Sequence, residues 1–166
     1  ALDPDGALAD PLIPCGVWLL GVAAEVTPLG EECERLNRQR QEVEGPIQLE
    51  AAAQVEAFDS LPTILVLSGE GWHEGVIGIV ASRIAERYQR PTILLAIKEG
   101  MARGSGRSIP AYDLMDGLRS CDDLLTQYGG HRQAAGMSLR ADDIDAFRSR
   151  LEGHAQSVLT AADMRR

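Results

Sequence analysis

The residues best suited to chemistry lie in Gly129-Gly130-His131-Arg132-Gln133-Ala134-Ala135-Gly136, where paired glycines are followed by a histidine, an arginine and small residues. Glycine lets backbone amides approach an anion closely, and His131 and Arg132 add donors that carry positive charge. The stretch reads either as a phosphate-binding loop or as a tight Gly-Gly turn with a solvent-facing histidine. A second candidate is Gly104-Ser105-Gly106-Arg107-Ser108, in which the Arg107 guanidinium and the hydroxyl of Ser105 or Ser108 could hold one phosphate between them. The plainer reading is an exposed arginine in a flexible turn. His73 stands beside Trp72 where a helix is expected to begin, placed to donate to a phosphate, to stack on a base alongside the indole, or simply to pack. His154 has no evident partner and reads as a surface residue.

Other chemistries find no support. The sequence has no G-x-x-x-x-G-K-[ST], no G-x-S-x-G, no H-E-x-x-H and no carboxylate-histidine cluster, so neither a catalytic residue nor a metal ligand set is expected. Gly69, Gly71 and Gly75 form a relaxed dinucleotide fingerprint with Glu99 downstream, but Trp72 and His73 are bulky where a pyrophosphate needs bare backbone. Cys15, Cys33 and Cys121 are odd in number and far apart, which suits reduced thiols rather than a disulfide framework or a zinc site. The formal net charge of -9 excludes coating nucleic acid by charge alone, so phosphate binding has to be local. Lys98 is the only lysine among the basic residues, an arginine bias that suits oxyanions and equally reflects a GC-rich genome. No apolar run is long enough for a membrane span and no signal peptide is evident, so a cytoplasmic protein is expected, and the start without methionine reads as that of an excised fragment.

The elements that must position these residues follow from periodicity. Residues 1 to 16, interrupted by Pro4, Pro11 and Pro14, read as an irregular lead-in, and Val17-Trp18-Leu19-Leu20 as an apolar patch that needs a partner surface. Residues 29 to 58 read as a polar helix with a thin stripe at Cys33, Leu36, Arg40 and Val43, interrupted at Gly45-Pro46. Thr63 to Ser68 and Pro91 to Ile97 read as buried strands around a helix whose apolar face is Val76, Ile79, Val80, Ile84 and Tyr88, making a parallel crossover unit. Met101 to Ser108 reads as a strand or strand-like loop, Tyr112 to Leu125 as helical, Ala135 to Leu139 as a last strand, and Ile144, Phe147, Leu151, Ala155 and Val158 as the stripe of a closing helix. The sum is a small α/β domain from about residue 61 to the end.

Three segments in this order, Gly71-Trp72-His73-Glu74-Gly75-Val76-Ile77-Gly78-Ile79-Val80-Ala81-Ser82-Arg83, Gly104-Ser105-Gly106-Arg107-Ser108 and Gly129-Gly130-His131 with Ala134-Ala135-Gly136, closely resemble the C-terminal DHHA1 domain of the RecJ family of single-stranded-DNA-specific exonucleases, in the DHH phosphoesterase superfamily. The resemblance covers about residue 30 onwards and includes Leu36 to Gln41, which looks like the family's connector helix; Pro46 departs from an unbroken one. It implies a small mixed-sheet domain with flanking helices over residues 61–166, a connector helix over 29–60, and a lead-in with the tail of an absent DHH domain over 1–28. It further implies a 5′ to 3′ exonuclease in which that absent domain binds Mn²⁺ or Mg²⁺ and does the hydrolysis, leaving this piece without catalytic residues or cofactor. Single-stranded DNA, the DHH domain of the same chain, a single-strand-binding protein and a helicase are the implied partners. Carried across, Arg107 with Ser105 or Ser108 looks like a 5′-phosphate clamp, Gly129, Gly130 and His131 like the contact near the scissile bond, and His73 and Arg83 like cleft residues. Related phosphodiesterases of oligoribonucleotides or cyclic dinucleotides share the Gly-Gly-His element, and the DHHA1 domain of alanyl-tRNA synthetases offers a non-catalytic alternative.

Overall fold

The computed structural model describes the backbone of residues 15–164 and the side chains of residues 30–164. Helix α1 runs Cys15–Glu56; it is followed by β1 Leu65–Glu70, α2 Glu74–Tyr88, β2 Thr92–Lys98, β3 Met101–Arg107, α3 Leu114–Arg119, β4 Leu125–His131, β5 Ala134–Arg140 and α4 Ile144–Val158. The chain divides into two compact units, residues 1–39 and 40–166. Among the described side chains of the first, residues 30–39, α1 carries exposed residues, Leu36 of the expected stripe among them at 51% exposure. The lead-in up to residue 14 and the side chains of Val17 to Leu20 lie outside the described residues. Among the described residues no helix is long and apolar enough to cross a membrane.

In the second unit the five strands form one mixed sheet in the order β1-β2-β3-β5-β4. β1 and β2 are parallel and joined through α2, as the crossover pattern required, and the remaining pairs are antiparallel. The apolar runs of β1 and β2 are continuous because both faces are covered. Ile64, Val66, Ile93 and Leu95 point into a core closed by Tyr112, Leu114, Phe147 and Leu151, while Leu65, Leu67, Leu94 and Ala96 point into a second core closed by Ile47, Ala51, Val55, Val76, Ile77, Val80 and Ile84.

Helix α1 passes through Gly45-Pro46, where the sequence predicts an interruption. The lost backbone donor and the ring clash cost about 3 kcal/mol. The stripe Ile47, Ala51 and Val55, each at most 5% exposed, offsets this by packing on α2. Glu44, 2% exposed, pairs with Arg40 at 3.3 Å and with Arg83, whose Nη1 also donates to Gln48 Oε1 at 2.8 Å. Arg83 therefore fastens α2 to α1.

Further expectations are corrected locally. The helix expected over Tyr112 to Leu125 is only α3, capped by Asp113 at its start, followed by one 3-10 turn at Asp122–Leu124. On α2 the fully buried positions are Val76, Ile77, Val80, Ala81, Ile84 and Ala85, so Ile77 replaces Ile79 on the inner face. Val158 is 50% exposed and Leu159 closes α4 instead. His154 is half-buried, with Nδ1 2.9 Å from the hydroxyl of fully buried Tyr112, and so supports the core instead of standing free on the surface.

The outer edge of β1 is filled by side chains. Leu65 N–H bonds toward β2, so Ile64, Val66 and Ser68 present their backbone groups outward. Glu152 accepts from Thr63 and Ile64 N–H at 2.9 and 3.0 Å, Arg148 Nε donates to Val66 O at 3.1 Å, and Gln54 donates to Ser68 O at 2.8 Å. Burial pushes the Glu152 carboxyl up, but the bonds from Thr63, Ile64 and Gln156 together outweigh it and hold the group below its ordinary value of 4.5. Because the folded-state value is depressed, the stabilisation is complete above the unfolded value and is lost as pH falls through the folded one. Glu152→Gln is expected to lower stability by about 1 kcal/mol at neutral pH, with wild type and variant converging in urea titrations once the pH falls below the folded-state value.

Candidate nucleic-acid interface

Strand β3 is built on alternation. A Cβ on Gly104 or Gly106 would run into Met137 and Leu95 or into Leu114 and Ile93, so these two face the core that α4 closes. Arg103, Ser105 and Arg107 then share the opposite face, the one on which α2 lies. Cross-strand pairing sets their neighbours: Arg107 opposes Ala134, which opposes His131, and Ser105 opposes Gly136, which opposes Gly129. Directly opposed residues in an antiparallel pair project to the same side. Arg107 and His131 therefore lie in one row, two strand spacings or about 10 Å apart.

The sequence stretch that reads as a phosphate-binding loop is a β-hairpin. Gly129, Gly130 and His131 are the end of β4, Ala134 to Gly136 the start of β5, and only Arg132 and Gln133 form the turn. The turn is tied back to the segment after β3: Arg132 donates to Pro110 O at 3.1 Å, and Ser108 and Leu114 N–H donate to Gln133 O and Arg132 O. Strand register, not loop plasticity, fixes the position of the Gly-Gly-His element.

Helix α2 packs on β2 and β3 rather than on β5 and β4, leaving a groove of about 530 Å³ over the open half of the sheet. Glu74 and Ile77 of α2 form one wall, and Ser105, Gly136, Gly129, Ser138 and Gln127 line the floor. The glycines of the hairpin differ in cause, Gly129 and Gly136 lying in the floor and Gly130 on the other side of the sheet. Gly130, at φ +151°, has no room for a side chain, since a Cβ would overlap the Ala134 carbonyl and lie 2.6 Å from Ala135 Cα. A Cβ on Gly129 meets nothing within 4 Å, and one on Gly136 only Gly104 O at 3.9 Å. Packing within the protein leaves these two positions free, so the floor of the groove is bare backbone there for reasons other than steric fit.

Next to the groove, in a neighbouring cavity of about 350 Å³ between α2 and the β3-β5 end, Arg107 is half-buried, and its Nη1 donates to Ser105 Oγ, which lines the groove, at 3.0 Å and to Gly106 O at 2.8 Å. A Cβ on Gly78 of α2 would be 3.0 Å from both Arg107 Nη2 and Ser105 Oγ, so the absence of a side chain there lets the helix close over the pair. Ser105 accepts from Arg107 and keeps its own proton for another acceptor. Ser108 is committed elsewhere, donating to Tyr112 O at 2.9 Å. Of the two hydroxyls considered for the clamp, the structure places Ser105 beside the guanidinium.

His131 is exposed on the same row as Arg107. His73 is not in this cluster. It caps α2 through Nδ1, which accepts from Gly75 N–H at 3.0 Å, and lies at the end of α2 where Glu74 pairs with Arg103 at 3.2 Å. Arg103 and Arg107 are four residues apart on β3, about 14 Å. Trp72 is unavailable to stack on a base, being 6% exposed with its indole N–H donating to Glu50 Oε2 at 2.8 Å. Arg103, Gln127 and Ser138 line the groove without having been singled out from the sequence; the i, i+2 spacing of Arg103, Ser105 and Arg107 was the available signal. Among the described residues no group of three or more His, Cys, Asp or Glu is placed to hold a metal ion.

A mixed sheet with an open, glycine-floored half and an Arg-Ser pair beneath a close-packed helix is the arrangement carried by residues 61–157, which match the DHHA1 domain; the chain belongs to that family. Its relatives are specific. It is 42% identical over 141 residues to the single-stranded-DNA-specific exonuclease RecJ of Bacillus subtilis, covering 84% of this chain and 18% of that protein. The corresponding protein of Escherichia coli is 37% identical over 158 residues, covering 90% of this chain and 27% of the relative. The crystal structure of RecJ in complex with Mn²⁺ from Thermus thermophilus superposes with a TM-score of 0.71 at 38% identity, over 81% of this chain and 20% of that one. The chain thus spans less than a third of the length of the curated relatives it matches.

Proposed function

We propose that this chain is the strand-gripping part of a 5′ to 3′ single-stranded-DNA-specific exonuclease, with residues 61–166 as the substrate-binding domain and residues 29–60 as the connector. The observation that carries the proposal is the groove with Gly129 and Gly136 bare and with Ser105 in its lining bonded to Arg107 of the adjoining cavity. A terminal phosphate accepts bonds from the Arg107 fork and the Ser105 hydroxyl, which sets the 5′ end of the strand. The following backbone crosses the glycine floor, and the outer row brings His131 toward the phosphate nearest cleavage. Hydrolysis belongs to a metal-bearing DHH domain of the same parent chain, for which the RecJ structures solved with Mg²⁺ or Mn²⁺ are the precedent. The part proposed for the described residues, among which no group of three or more metal-binding side chains is found, is to bind and orient. We also assign the parent to the bacterial cytoplasm, with a single-strand-binding protein and a helicase as working partners.

Fluorescence anisotropy of the 166-residue chain tests this reading. A 5′-phosphorylated single strand is expected to bind more tightly than its 5′-hydroxyl counterpart and than duplex of the same sequence, and the chain with Mn²⁺ alone is expected to release no nucleotide. Preference for a cyclic dinucleotide, an oligoribonucleotide or tRNA over the phosphorylated DNA strand would overturn it.

A further inference from the structure

The groove does not end at its Arg103 border. Two more cavities, of about 310 and 440 Å³, adjoin it on the α2 face; Glu74 lines all three, Arg103 the first two, and Lys98 the last two. His73 lies in the farthest. Lys98 and Arg103 are both exposed, and Ala96 opposes Arg103 across the β2-β3 ladder, which puts Ala96, Lys98 and Arg103 on the same side of the sheet as Ser105 and Arg107. The path therefore runs from Arg107, over the glycine floor, past Arg103, to Lys98 and His73.

Resting on the proposed binding of a single strand, we propose that Arg103 and Lys98 form a second phosphate-contacting site that holds the strand on the 3′ side of the nucleotide positioned by Arg107. This gives the strand a direction on the domain, with its 5′ end at Arg107 and its continuation toward the start of α2. Arg103 is available for the role. Its pair with Glu74 is solvent-exposed on both sides, at 67% and 46%, and exposed pairs are worth only about 0 to 1 kcal/mol, so a phosphate can displace the carboxylate at little cost. Glu74 then acts as a competing anion at the junction of the cavities, and its removal has the opposite sign to removal of either cation.

The test uses the full chain and two 5′-phosphorylated ligands, a dinucleotide followed by NMR and a dodecanucleotide followed by anisotropy across a salt series. Arg103→Ala and Lys98→Ala are each expected to weaken the dodecanucleotide more than the dinucleotide, and to reduce the dodecanucleotide's log-affinity against log-salt slope by about 0.7, the value for one phosphate contact in a single strand. Glu74→Gln is expected to tighten the dodecanucleotide several-fold. Wild-type affinity and slope for the dodecanucleotide in both cation variants would overturn the second site, as would an equal loss for the two ligands. Those outcomes are distinct from failure of the underlying reading, which would show as an Arg107→Ala variant that binds both ligands like wild type.

Discussion

Arg107→Ala is expected to weaken binding of a 5′-phosphorylated single strand by about ten- to a hundredfold while changing a 5′-hydroxyl strand by about threefold or less. The range follows from hydrogen bonds to a charged group, about 1.5 to 3 kcal/mol when the partner is lost. Arg107 is half-buried and its intramolecular bonds are to Ser105 Oγ and Gly106 O, so its loss removes one neutral acceptor's partner and a carbonyl's, with no buried charge left behind. The melting temperature should barely move. Arg107→Lys keeps the charge but not the planar fork, and should recover only part of the phosphate preference. Equal losses for the two strands would remove the clamp while leaving the groove intact.

Gly129→Val and Gly130→Ala should fail in opposite ways although the residues are adjacent. Gly130 has φ +151° and backbone atoms of Ala134 and Ala135 where a Cβ would go, so even alanine should cost about 3 kcal/mol, or about 6 to 12 °C of melting temperature for a chain of this size. Gly129 has open space, and valine suits an edge strand, so Gly129→Val should melt at or above the wild-type temperature. Its isopropyl group would nevertheless rise from the groove floor, and single-strand binding should fall by at least about tenfold, the effect of a loss of about 1.4 kcal/mol. Thermal melts paired with anisotropy separate the two. A Gly129→Val chain that binds DNA normally would show that the bare floor has no bearing on the ligand.

The parts of the fold that could be read from sequence are those where side-chain pattern and packing coincide. Leu65 to Leu67 and Ile93 to Leu95 are continuous apolar runs because the sheet is covered on both sides there, and Ile144, Phe147, Leu151 and Ala155 repeat with the helical period because one face of α4 is buried. The hairpin was harder. Gly129, Gly130, Ala134, Ala135 and Gly136 carry almost no side chain from which to read a period of two, and their strand character comes from pairing between β4, β5 and β3, which no local pattern reports. Pro46 misled for a related reason: local chemistry predicts a break, and the tertiary contacts of Ile47, Ala51 and Val55 override it. Of the candidate site, Arg107, Ser105, Gly129 and His131 come together as one surface, whereas Ser108 is occupied by the turn and His73 is joined to the others only through the Arg103 end of the path. That both histidines belong to one face, yet to different stations on it, could not be inferred before the register was known.

The plugging of β1 has a consequence for how the molecule meets other chains. With Glu152, Arg148 and Gln54 seated on its outward amides and carbonyls, that margin is finished, and the sheet is unfinished only along β4 among the described residues. An unfinished margin is a hazard, since stray extended polypeptide can template on it. Here the hazard sits beside Gly129, so the nucleic-acid strand proposed to lie across that residue would also crowd the border, and filling the groove would guard against misassociation.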